Sequence, residues 1–78
     1  MTQYYIDGIS ATRLEKIADK IGERIANGND EFVLKNGRIV LVYFDGNRYM
    51  IHDDDFNLIE ETQSRYELAL TMIQLSRF

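Results

Sequence analysis

Two apolar runs, Phe32-Val33-Leu34-Lys35 and Arg38-Ile39-Val40-Leu41-Val42-Tyr43-Phe44, are separated only by Asn36-Gly37. Asparagine followed by glycine tolerates the positive backbone angles of a tight reversal, so this dipeptide places an antiparallel hairpin in the middle of the chain. A second turn signal, Asp45-Gly46, leads into Arg48-Tyr49-Met50-Ile51 and predicts another reversal. Everything else must pack on that meander.

A chain of 78 residues is one domain, near the size at which a single core leaves a few kcal/mol of net stability and association often assists. A homodimer or higher oligomer is therefore expected. Cysteine is absent, so neither a disulfide framework nor a thiolate metal site can form, and a cytoplasmic setting is expected. No apolar stretch approaches a membrane span, and residues 1–10 lack the basic and apolar regions of a signal peptide.

The net charge of -4 is unevenly spread: bases and acids balance over residues 1–50, while residues 51–78 carry only Arg65 and Arg77 against six acids. An acidic total argues against general nucleic-acid affinity but leaves room for a local basic face in the first half.

Thr2-Gln3-Tyr4-Tyr5-Ile6 reads as a short strand broken by Asp7-Gly8. Ser10 can cap a helix running to about Asn27, with Thr12 and Glu15 as an alternative capping box and Gly28 as its stop. Leu14, Ile17, Ala18, Ile21 and Ile25 form one apolar stripe of that helix. Arg13, Lys16, Lys20 and Arg24 line up on one flank, and Glu15, Asp19 and Glu23 on the other. Sorting charge by sign sets like charges side by side, a cost that a polyanion lying along the basic stripe would turn into attraction. Alternatively Lys16 to Asp19 and Lys20 to Glu23 are ion pairs of an ordinary solvated helix.

His52-Asp53-Asp54-Asp55 suits the start of a second helix, running from about Phe56, with or without a break, to Phe78, because carboxylates cap free amides and complement the macrodipole. A divalent-metal site on His52 and the aspartates is the alternative use of the same residues. In the last segment Tyr66, Leu70 and Ile73 point one way and Leu68, Met72 and Leu75 another. One apolar side can cover the sheet while the other meets a second subunit or partner; alternatively both belong to one wide core face.

The order and wording of these segments resemble the Phd/YefM family of antitoxins from toxin-antitoxin pairs. Ile9-Ser10-Ala11-Thr12 looks like the opening of that family's first helix. Leu14, Ala18, Ile21 and Ile25 match its apolar positions, Gly28 its helix-ending glycine, and Phe32 to Arg38 its strand and turn. The stretch from Met50 to Thr62 is similar to its strand end and acidic lead into a helix. Departures are Arg13 and Glu15 where an acid and an arginine are usual, Ile39 for a frequent proline, and about seven extra residues around Phe44 to Tyr49. The resemblance implies an α+β fold of order β-α-β-β-β-α(α), a small antiparallel sheet packed by helices. Residues 1–51 would form the dimerising and DNA-binding part, and residues 52–78 a helical partner-binding segment.

It implies further that Thr12, Arg13 and Lys16, with Lys35 and Arg38, contact operator DNA, to which the stripe adds Lys20 and Arg24. Tyr66, Leu70, Ile73 and Phe78 would contact a cognate toxin. The alternative is a small acidic protein-binding module or inhibitor, encoded by a phage or mobile element, without DNA affinity. Enzymatic chemistry is not expected: one histidine, no cysteine and no nucleophile-base spacing leave only Asp53 to Asp55 for acid-base work. No cofactor is implied, and Tyr4, Tyr5, Tyr43 and Tyr49 read as sheet packing before base stacking.

Overall fold

The computed structural model describes residues 5–6 and 9–77. Two short strands, β1 (Tyr5–Ile6) and β2 (Ile9–Ser10), pair antiparallel ahead of the first helix, α1 (Ala11–Ala26). The rest of the strand expected over Thr2–Ile6, and the Asp7-Gly8 break, lie outside the described residues. The Ser10 hydroxyl accepts the Arg13 amide at 3.2 Å and caps α1, so Thr12 is not the cap. Gly28, at φ +89°, ends the helix as expected.

Four strands follow as a meander, β3 (Glu31–Val33), β4 (Ile39–Phe44), β5 (Tyr49–His52) and β6 (Leu58–Thr62), and the chain closes with α2 (Arg65–Leu75). The sheet order is β3-β4-β5-β6, antiparallel throughout. Both turn signals are realised. At the first, the Leu34 amide donates to the Arg38 carbonyl at 2.8 Å and the Gly37 amide to the Leu34 carbonyl at 2.9 Å, with Gly37 at φ +83°. At the second, an Asp45 carboxylate oxygen accepts the amides of Asn47 and Arg48, each at 2.9 Å.

The expected helix start at the aspartates is corrected. Residues 53–57 form a third hairpin turn and Leu58–Thr62 is a strand. Asp53 decides this locally: one carboxylate oxygen accepts the amides of Asp55 and Asn57 at 2.9 Å each, and the other accepts the Asn57 side chain at 3.2 Å. Such local bonds compete with helical ones and favour turns. The observed order is therefore β-β-α-β-β-β-β-α, still α+β with an antiparallel sheet, and residues 52–78 contribute a strand as well as a helix.

Both helices lie on one sheet face. Leu14, Ala18 and Ile21 from α1 and Leu68, Ala69 and Met72 from α2 are buried with Phe32, Val40, Val42 and Ile51 from the sheet. A register shift between Ile51 and His52 bulges β6 and lets Ile59 pack on that core. The helices run antiparallel, α2 starting beside the middle of α1, where the Arg65 guanidinium meets Asp19 at 3.1 Å.

The opposite sheet face carries Ile39, Leu41, Tyr43 and Met50, half-buried, with exposed Val33 and Leu58 at its edges. Among the described residues nothing covers it. No helix among the described residues is long and apolar enough to cross a membrane.

Candidate functional site

The basic stripe of α1 lies on the β3 side of the molecule, because Ile17 and Ile21, which flank it, wall a groove against that strand. Arg13, Lys16, Lys20 and Arg24 are all exposed, and Thr12 sits exposed beside them in the first turn. Among the described residues none of the four bases lies within ion-pair distance of an acid. The Lys16 to Asp19 and Lys20 to Glu23 pairs that the spacing permits do not form. Asp19 is turned toward α2 and Arg65 instead, which leaves the stripe's charge uncompensated from within.

Two further contacts extend this basic face. The Arg24 guanidinium lies 4.6 Å from the Phe32 ring centroid, a cation-π contact that holds the side chain over β3 without neutralising it. Lys35, exposed in the first hairpin turn, lines the same groove as Arg13. Arg38 is not part of the cluster: it is half-buried, and its charge acts on the Asp53 carboxylate of the β5–β6 turn. The structure thus gathers Arg13, Lys16, Lys20, Arg24 and Lys35 on one side and leaves Arg38 apart.

The groove has a volume of about 700 Å³ and is built from three elements. Its lining comes from Arg13, Ile17 and Ile21 of α1, from Phe32 and Val33 of β3 with Leu34 and Lys35 just beyond it, from Ala69, Met72 and Ile73 of α2, and from Ser76 and Arg77 after that helix. Among the described residues no acid lines it. Sequence spacing gives no sign of such a groove, since each contributing stripe reads as ordinary core.

The residues expected to meet a toxin sit differently. Leu70 and Ile73 are half-buried and packed against the core, so the second apolar side of α2 is taken up largely within the chain. Tyr66 is 39% exposed, its hydroxyl 3.1 Å from an Arg65 guanidinium nitrogen. Phe78 lies outside the described residues. The capping of α2 was legible but missed in the Ser64-x-x-Glu67 spacing: Ser64 accepts the Glu67 amide at 3.1 Å, and the Glu67 carboxylate reaches back one residue past the cap to accept the Gln63 amide at 3.2 Å.

Asp53, Asp54 and Asp55 bring carboxylate oxygens within 4.8 Å of one another, and His52 is not in that group. The His52 ring packs edge-on against Tyr43 at 5.5 Å. Hydrogen bonds from the Asn57 amide first, then from the Asn57 side chain and the Asp55 amide, hold the Asp53 carboxyl below its ordinary value. The cluster's evident chemistry is that of a turn. No protein-family model, curated protein or solved structure matches the chain.

Proposed function

We propose that this chain is a small dimeric regulator of the antitoxin kind, which lays the basic face of α1 against operator DNA and represses its own synthesis. The observation that carries this reading is the uncompensated stripe: four cations on one helix flank, joined by Lys35, with their acidic neighbours on the opposite flank and directed in part to α2. A net acidic protein gains phosphate affinity only where such a face is concentrated. In this reading the cognate toxin meets the Tyr66 end of α2, the one described residue of the expected set that projects into solvent.

The second reading, a protein-binding module without DNA affinity, is favoured by the apolar outer sheet face and by the net charge of -4. A gel shift with the DNA upstream of the gene, run over a salt series, separates the two. The first reading expects binding that weakens steeply with salt, and a shallower salt slope, by about one unit, in Lys16→Glu. No shift at low salt would remove the DNA role and leave the second reading standing.

A further inference from the structure

We propose that the groove between α1 and the free edge of β3 takes an extended acidic segment of a partner protein as an added strand. The register of β3 fixes which backbone groups are available for this. The Val42 amide donates to the Asp30 carbonyl and the Leu34 amide to the Arg38 carbonyl, each at 2.8 Å, so Asp30, Phe32 and Leu34 direct their backbone groups toward β4. In an antiparallel ladder the alternate residues point away, which aims the amides and carbonyls of Glu31 and Val33 outward. Among the described residues no strand pairs with that edge.

An unpaired edge alone is common, and a three-residue strand is short enough to limit unwanted pairing. What sets β3 apart is the groove alongside it. Phe32 and Val33, consecutive in β3 and so directed to opposite faces, both line the groove, with Leu34 and Lys35 just beyond the strand, so it follows the strand's edge and not one of its faces. Its floor is apolar, from Ile17, Ile21 and Met72 among others, and an edge strand beside a helix-walled apolar cleft is the geometry in which an extended peptide gains main-chain bonds and side-chain pockets together.

Charge selects the partner. Arg13 and Lys35 stand at the groove, no acid among the described residues lines it, and the rest of the α1 stripe continues the same sign. A segment of alternating acidic and apolar residues would put its apolar side chains on the floor and its carboxylates at the rim, since strand side chains alternate in direction. With only two outward-facing residues in β3, the floor and rim must supply most of the affinity.

The test uses the intact protein and a fluorescently labelled peptide of alternating glutamate and valine, with a lysine-valine peptide of equal length as control. Saturable anisotropy is expected for the acidic peptide, at least about tenfold tighter than for the basic one. Val33→Pro removes an outward donor that the β3–β4 ladder does not use, and it should weaken binding about tenfold while thermal unfolding stays cooperative. Lys35→Glu, at an exposed turn position, should weaken it comparably and serves alone if Val33→Pro fails to fold. Bound peptide should slow hydrogen exchange at the Val33 amide. The proposal is overturned if the acidic peptide does not saturate, if the basic peptide binds as well, if Lys35→Glu leaves binding unchanged, or if a folded Val33→Pro does. It is also overturned if, without peptide, exchange at the Val33 amide is already slow and quickens on dilution, because the edge is then held by a second copy. These readouts involve no DNA, so they stand or fall apart from the gel shift.

Discussion

Phe56 holds φ at +65°, in the left-handed region where a side chain crowds the following carbonyl, and its ring is 67% exposed. The ring therefore recovers little by burial. Phe56→Gly should raise stability by about 0.5–1 kcal/mol, the strain relieved less the extra chain entropy of glycine, read from urea unfolding. An unchanged or lower midpoint would mean that the ring has a packing role. Asp53 and Asp45 each make stability depend on pH. Hydrogen bonds from the Asn47 and Arg48 amides lower Asp45 as those from Asn57 lower Asp53. A carboxyl depressed on folding stabilises above its unfolded value and loses that contribution as pH falls through the folded one. Melting temperature should therefore drop as pH falls below the ordinary aspartate value of 3.8, and Asp53→Asn should flatten that drop. Asn36 shows what one residue type can and cannot announce. Its turn was legible in the sequence, whereas its side-chain amide also donates to the Leu75 carbonyl at 3.1 Å, a bond that exists only because α2 ends over the hairpin.

At the scale of elements, α1 and the first two hairpins were legible because cap, period and turn residues agree with one another there. The stretch from Asp53 to Thr62 was not. Carboxylates serve equally at a helix start and in a side-chain-closed turn, and Asp53 settles on the turn only because Asn57 is placed to donate twice. β6 then needs a bulge to return Ile59 to the core, so its alternation is broken where a sequence pattern would be sought. The groove escaped for a different reason, since three elements form it and none carries a distinctive motif. Gly22 offers a check on the helix pair. A Cβ there would meet the Arg65 Cδ at 3.8 Å, an ordinary contact, in a helix where glycine is about 1 kcal/mol poorer than alanine. Gly22→Ala should thus stabilise by about that amount, and a loss would show that α1 and α2 pack more closely than this contact implies.

For the whole molecule the decisive feature is that β4 is apolar on both faces while the helices cover one. An antiparallel sheet with a solvated face alternates polar residues outward, but Ile39, Leu41 and Tyr43 all point to the uncovered side. If two copies pack these faces together, layers of about 10 Å each put the two α1 helices roughly 30 Å apart. That is close to the 34–36 Å spacing of successive major grooves on one side of DNA, so the proposed dimer and the proposed DNA contact support each other geometrically. Leu41→Lys tests both at once. A monomer can extend this lysine into water, so thermal unfolding should remain cooperative, whereas a buried interface would be left with unpaired charge. Sedimentation should show a dimer for the parent chain and a monomer for the variant, and DNA affinity should fall although a cation has been added. A parent chain that sediments as a monomer would take away the dimer, and affinity that rises with the added lysine would mean that α1 engages DNA as a single copy.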